Sequence, residues 1–544
     1  MTQRRRRLPF HLPLLALGAA FTLVTACSGG GAGSAAGGGA QTPEGTPTPG
    51  GRLVYAVSAD GSGFNPVTDS FALQSYTMAG TIIEPLAGID ATGKWRPWLA
   101  KSIKANDDYT QWTIKVRQGI KFSNGEQLNA DVVKANLDAQ RKSPLNAAVL
   151  ATVKSTKKLD ADTVRVDLAG PWVAFPYSLT RQIGMVVPKA SLADPKSASR
   201  HPVGTGPFTF ARYIPGNRFL VVKNPNYWRK GLPHLGRIEF RILPDPQTRA
   251  QTLESGGVDA MQSNRDEDIT KFGKLPGYRL LRSAGMTVPE VAFMLNTGAP
   301  PLNDLRVRQA LAYATNRQAF TSTLRHGVTK PADGPWSPDA KWYVPGGYPD
   351  YHLAKAKSLV NAYEKEHGPL KIQVMTLPDP TTAENVQLAQ DMWRKAGIDV
   401  TVKQADQADL VQRALTGDYQ ASIWTQFTAP DPDGEYVWLH SSFAQPVGKV
   451  SINMSRIRDP RLDAALDEGR SNPDDATRKK AYATVQRELR KQLPFIWVDH
   501  LTTNAVIGGP KVKGLGSYKL PDGSTGKPLV GSSTHPFGQL WMGE

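Results

Sequence analysis

The chain has 544 residues, 40% hydrophobic and 21% charged, with one cysteine and a formal net charge of +17. A single thiol excludes any disulfide within the chain, and the length is sufficient for two or three packed domains. Lys and Arg are scattered among Asp and Glu, without a basic block or an aromatic-basic RNA motif. That argues against a nucleic-acid partner and leaves attraction to an anionic membrane, or simply a solvated surface.

In chain order, the first expected element is a signal peptide over residues 1–26: a basic flank, Arg4 to Arg7, then an apolar run, Leu8 to Val24. Val24-Thr25-Ala26-Cys27 has the layout of a bacterial lipobox, so Cys27 is the expected lipidation site and first mature residue. The run is short and broken by Pro9, His11 and Pro13, unlike a membrane span. Removing the four arginines lowers the formal charge from +17 to +13 (17 − 4). Residues 28–49 are Gly, Ala, Ser, Thr and Pro, interrupted only by Gln41 and Glu44, and cannot bury enough apolar surface to fold. With Cys27 they make a tether over 27–49, with a reach of about 25 Å, and two acyl chains suffice for stable anchoring. The export route, Sec or twin-arginine, stays open.

The body reads as mixed α and β. Leu53 to Val57 is a strand and Phe71 to Ile83 a helix ending before Glu84-Pro85. Ser102 to Ala105 and Tyr109 to Gln118 form a hairpin, with Trp112, Ile114 and Val116 on one face. Asn129 is the N-cap of a helix carrying Val132, Val133 and Leu137. Val153 to Lys158 and Thr163 to Leu168 pair through Asp160-Ala161-Asp162. Further on, strand Lys371 to Leu377, helix Thr382 to Ala396, strand Asp399 to Lys403, helix Ala405 to Leu415 and strand Gln420 to Gln426 predict a largely parallel sheet. Ligands sit beyond the carboxyl ends of such strands, which places Trp424, Thr425, Gln426 and Phe427 at a crevice rim by position alone; core packing of both aromatics is the alternative.

No nucleophile elbow, His-Glu-x-x-His or phosphate-cradling loop occurs, and the eight histidines beyond residue 26 are dispersed, so no enzyme activity, cofactor or metal site is expected. Asp431-Pro432-Asp433-Gly434-Glu435 lacks the full ligand series of a calcium loop.

Three blocks carry a resemblance. Gly204-Thr205-Gly206-Pro207-Phe208 is followed by Asn224-Pro225-Asn226-Tyr227-Trp228, Ile238-Glu239-Phe240-Arg241-Ile242-Leu243-Pro244-Asp245 and Leu253-Glu254-Ser255-Gly256-Gly257-Val258-Asp259. A second runs from Leu295-Asn296-Thr297 to Pro301-Leu302-Asn303-Asp304-Leu305-Arg306-Val307-Arg308-Gln309-Ala310-Leu311-Ala312-Tyr313-Ala314, and a third from Lys121 to Val133. In order and spacing they resemble family 5 of the solute-binding proteins of ABC importers, which includes dipeptide-, oligopeptide- and nickel-binding proteins. Read locally, the blocks are fold determinants: Gly204 and Gly206 for unusual backbone angles, Tyr227 and Trp228 as apolar plugs after a turn.

The resemblance implies an α/β, bilobal periplasmic-binding-protein-like fold of type II, cluster C, with an extra inserted domain. Lobe I is then 50–85, 201–289 and 505–544, the inserted domain 86–200 and lobe II 290–504, with hinge crossings near Val288 to Leu295 and Trp497 to Asn504. It further implies a monomer that captures a peptide in the interlobe cleft and delivers it to membrane permease subunits. Where the peptide binders carry an amine-binding Asp, Trp424-Thr425-Gln426 is followed by Phe427. Asp431 and Asp433 are candidate substitutes, and Phe64, Asn65 and Trp336 are further cleft candidates by position within the resemblance. A metal chelate, oligosaccharide or opine-like ligand, or a surface sensing role without transport, are the alternatives.

Overall fold

Arg52–Val57 forms the centre of a seven-stranded sheet because both of its faces are apolar: Leu53, Tyr55 and Val57 join one core, Val54 and Ala56 another. The computed structural model describes residues 45–282, 290–426, 429, 431–500, 505–516, 518–526 and 536–544. The expected signal segment, Cys27 and residues 28–44 of the expected tether lie outside the described residues, as does Phe427. Residues 46–544 form one unit.

The strand order in the first sheet is Arg279–Arg282, Ala505–Gly508, Ala260–Ser263, Arg52–Val57, Arg237–Ile242, Arg218–Lys223, Phe208–Ile214. Arg52–Val57 runs parallel to both of its neighbours, and the other pairings are antiparallel. The expected helix at 71–83 is only Leu73–Ala79. Beyond it the chain turns so that the Ile82 carbonyl meets the Gly206 N–H at 2.7 Å. This closeness, rather than an unusual φ, explains the two glycines: a Cβ on Gly204 would fall 2.0 Å from the Ile82 oxygen and one on Gly206 at 2.5 Å.

The segment between the first-sheet strands folds on itself as a four-stranded antiparallel sheet, ordered Ala100–Ala105, Gln111–Val116, Thr163–Leu168, Val153–Lys158. Both expected hairpins are present. The helix Ala130–Lys142 covers the sheet, and the Asn129 side chain accepts from the Val132 N–H at 3.1 Å as the N-cap. Tyr518 and Leu520, far along the chain, complete this core, with the Tyr518 ring 6.4 Å from Trp98. The expected boundary at residue 505 therefore does not divide the packing units cleanly.

The third sheet is ordered Lys330–Pro331, Phe495–His500, Glu290–Leu295, Ala421–Gln426, Lys371–Thr376, Asp399–Gln404. Helices Pro380–Lys395 and Gln407–Thr416 make the expected crossovers, and the last three strands are parallel. The others are antiparallel, so the sheet is mixed rather than largely parallel. The reason is topological: Glu290–Leu295 enters from the first sheet and Phe495–His500 leads back to it, and this pair runs opposite ways. Phe293 fixes the core, with ring centroids 5.0 Å from Trp393 and 6.5 Å from Phe320.

Candidate functional site

The two large sheets present the same kind of edge to the places where the chain passes between them. It leaves the first sheet after Arg282 for Glu290, and the third after His500 for Ala505. In the first sheet Ser263 pairs with Ala505, so the carboxyl ends of the parallel strands, at Val57, Ile242 and Ser263, lie on that edge. In the third, Glu290 pairs with Gln426 and His500, putting the carboxyl ends at Thr376, Gln404 and Gln426 on the corresponding edge. Open α/β sheets bind ligands beyond such ends. Most of the two expected crossings is strand, Glu290–Leu295 and Phe495–His500; the connecting residues 283–289 and 501–504 lie outside the described residues.

Sequence reasoning put Phe64 and Asn65 at this edge as contacts. Phe64 is fully buried instead, its ring 4.5 Å from Phe219 and 5.3 Å from Tyr213. Asn65 is buried too, with Oδ1 accepting from the Val67 N–H at 2.9 Å and its own N–H donating to Asp69. Both organise the loop after Arg52–Val57. Trp336 packs edge-on against Tyr482 at 5.6 Å in the lobe core. Trp424 lies opposite Ala292, which lies opposite Trp497, so the two indoles belong to one row across three hydrogen-bonded strands. Thr425 is exposed and Gln426 ends its strand.

Asp431 and Asp433 are brought together, but not as free carboxylates. Arg478 Nη2 donates to Asp431 Oδ1 at 2.6 Å, and Arg470 grips Asp433 through Nε at 2.6 Å and Nη2 at 3.1 Å. Both acids are buried, and burial pushes the Asp431 carboxyl up against the opposing pull of Arg478. The Trp172 indole N–H donates to Asp433 Oδ2 at 2.6 Å, while the Arg470 guanidinium lies 3.5 Å from the Tyr436 ring centroid and 4.8 Å from that of Trp172. These partners displace the expectation that either acid waits for a ligand amine. The arginines come from helices Pro460–Ser471 and Asp475–Gln492, and neither carries a local signal of the pairing.

Asp266 was missed by sequence reasoning. It opens the helix Asp266–Phe272, just after the carboxyl end of Ala260–Ser263. Its residue is 8% exposed and its Oδ1 is buried without a hydrogen-bond partner. Burial pushes its carboxyl up to about 6, opposed by Arg325 of the third-sheet lobe, with Glu267 and Asp499 adding to the rise. Arg325 itself is held by Asp499 at 2.7 Å, and His326 lies 3.9 Å from Glu267. His500, at the same edge, is buried with neither ring nitrogen hydrogen-bonded, and burial pulls it down to about 4. A strand end followed directly by an acidic helix start was the signal available in the sequence.

His440 stacks on Tyr436 at 4.7 Å, and among the described residues no group of three or more His, Cys, Asp or Glu is arranged to hold a metal. None of the described helices is long and apolar enough to cross a membrane.

A model of the bacterial extracellular solute-binding proteins, family 5, middle region, matches residues 94–446. The nickel-binding periplasmic protein of Escherichia coli K12 is 25% identical over 451 residues, 78% of this chain and 84% of that one. A glutathione-binding protein of Pectobacterium atrosepticum is 27% identical over 481 residues, 86% of this chain and 92% of that one. Among solved structures, the periplasmic binding protein DppA of Helicobacter pylori in complex with the peptide STSA superposes with a TM-score of 0.78 at 23% identity, over 91% of this chain and 99% of that one.

Proposed function

Because this chain belongs to the bacterial extracellular solute-binding proteins of family 5, we propose that it captures di- or oligopeptides between its lobes and delivers them to the membrane permease of an ABC importer. Members of the family are transport binding proteins and not enzymes. The observation that carries the peptide reading is Asp266. A buried carboxylate with a spare oxygen, at the strand-end edge of one lobe and within electrostatic reach of the other, suits a ligand ammonium that needs a compensating charge. Asp266 takes the amine-binding role that Asp431 and Asp433, already neutralised by arginines, do not have free. Trp424, Thr425, Gln426 and Phe427 remain candidate contacts. Closure follows because the ligand makes contacts with both lobes only in the closed state.

A second reading, a non-peptide solute such as a metal chelate, oligosaccharide or opine-like compound, is favoured by the same arginine pairing, which removes from amine recognition the two acids that follow Phe427 in the chain. Native mass spectrometry of the exported protein separates the two readings. A co-purified mass that fragments into amino-acid residues supports the first, and a metal complex or sugar the second. Asp266→Asn is expected to weaken a peptide with a free amino terminus and to leave its N-acetylated form unchanged. Equal affinities for the free peptide in the parent and the variant would sink the Asp266 assignment.

The protein's place is the outer face of the cytoplasmic membrane, held through lipidated Cys27 and the tether 27–49 after removal of residues 1–26, with lobe I, the inserted domain and lobe II acting as one monomer around hinges at the two crossings. Cys27→Ser is expected to release the protein into the medium without acyl mass. Retention of that variant at the membrane would overturn the anchor.

A further inference from the structure

At the pole of the third sheet opposite the interlobe edge lies a cavity of about 370 Å³. Strand direction places it there: Thr297 and Gly298 follow the carboxyl end of Glu290–Leu295, and Gln492 closes the helix that precedes Phe495–His500. Arg308, Arg456 and Arg458 are among the residues that line it. Among the described residues, the hydrogen bonds of all three end on backbone carbonyls and none is in an ion pair with a carboxylate. The nearest acid acting on Arg308 is Asp304, whose carboxylate is taken by Arg306.

The helix C-termini that receive some of these bonds, at Leu415 and Gln492, offset about half an elementary charge each. Three full positive charges therefore exceed what the backbone supplies. Burial pulls the Arg308 guanidinium down to about 10. Arg456 is 4% exposed and its Nε is buried with no hydrogen-bond partner. Its backbone is held at φ 57°, in the left-handed region, and Gly417 makes room for its head: a Cβ there would fall 2.7 Å from Arg456 Cζ. Such a conformation persists only where the surroundings impose it.

We infer that this cavity is a binding site for a phosphate-class oxyanion, separate from the interlobe cleft, held by the positive charge of Arg308, Arg456 and Arg458. Guanidinium groups match phosphoryl oxygens in geometry, and several together suit the oxygens of a phosphate group better than those of a single carboxylate. The group is either free inorganic phosphate or the headgroup of an anionic phospholipid. The inference stands whether or not the cleft ligand is a peptide.

The test is calorimetric titration of the body from residue 46 onward, which forms one unit and carries no lipid anchor, with inorganic phosphate at constant ionic strength. Saturable one-site binding is expected, weakened at least about tenfold, or about 1.4 kcal/mol, by Arg458→Gln. The Arg458 side chain is exposed, so this variant keeps its fold even if Arg456→Gln does not. Sedimentation with phosphatidylglycerol vesicles, against phosphatidylcholine, separates the sources. Retention competed away by phosphate identifies the headgroup, and phosphate binding without retention identifies the free ion. Absence of saturable phosphate binding, or equal affinity in Arg458→Gln, overturns the site.

Discussion

The indole N–H of Trp172 donates to Asp433 Oδ2 at 2.6 Å, joining residues 261 positions apart. Trp172 belongs to the core of the four-stranded sheet, and Asp433 lies beside helix Pro460–Ser471 of the third-sheet lobe. The Val173 N–H adds a bond to the Arg470 carbonyl at 2.9 Å. This is a buried clasp between two packing units, on a charge pair that is already satisfied.

Trp172→Phe keeps an aromatic face under Arg470 and removes one hydrogen bond to a charged acceptor, an expected cost of about 1.5–3 kcal/mol. Asp433→Asn leaves the Arg470 guanidinium buried without its counter-charge and is expected to cost more, about 3–5 kcal/mol. Urea midpoints of the two variants check the order. A smaller loss for Asp433→Asn would show that Arg470 finds another partner.

Glu84 is a second buried hub. It accepts from Trp98 Nε1 at 2.9 Å, Tyr227 Oη at 2.7 Å, Trp228 Nε1 at 2.8 Å and Thr205 Oγ1 at 2.8 Å, with no cation among them. Burial pushes its carboxyl up, and these four donors oppose the rise. Glu84→Gln turns an amide N–H₂ toward groups that already donate, so a loss of about 1–3 kcal/mol is expected. Equilibrium unfolding measures it, and Tyr227→Phe is expected to lose less because only one bond goes.

Asp266 and His500 titrate in one window with opposite consequences. Asp266 is raised from its ordinary value near 4 to about 6, so the folded state binds the proton more tightly and its contribution to stability falls as pH rises from 4 to 6. His500 is lowered from 6.5 to about 4, so the unfolded state binds the proton more tightly and stability is lost as pH falls from 6.5 to 4. Asp266→Asn is expected to gain stability over the parent at pH 7 and none at pH 4. His500→Phe is expected to flatten the loss between pH 6.5 and 4. Arg325, Asp499, His326 and Glu267 act on Asp266, so the midpoints are read as differences from the parent at each pH.

Gly204→Ala places a methyl 2.0 Å from the Ile82 carbonyl oxygen, where backbone has to move. An overpacking cost of about 3 kcal/mol is expected. Gly216, at φ 69° with open space around its Cβ, loses only about 1 kcal/mol as Ala. Unfolding midpoints of the pair separate close approach from backbone conformation.

The hairpins at 100–116 and 153–168, the Asn129 cap and the crossovers between Lys371 and Gln426 were legible because alternation, capping and helical period are local. The family blocks were legible for the same reason. Thr205, Tyr227 and Trp228 were visible in those blocks as fold determinants, whereas Glu84, which gathers all three, was read only as the residue after a helix. Phe64 and Trp336 were placed near the ligand by position and lie in cores, because position along the chain does not say which face of a loop is covered. Asp431 and Asp433 looked available because their arginines come from 47 and 37 residues away.

The sequence alone determined the class of molecule: an export signal layout, an α/β body and the blocks of a solute-binding family, all carried by residues near one another in the chain. Tertiary structure decided which acids are free. Asp431 and Asp433 are neutralised by buried guanidiniums, while Asp266 keeps an unpartnered oxygen at the interlobe edge. The physical reason is that the charge state of a buried carboxylate depends on what is folded against it, and in this chain those groups arrive from distant helices.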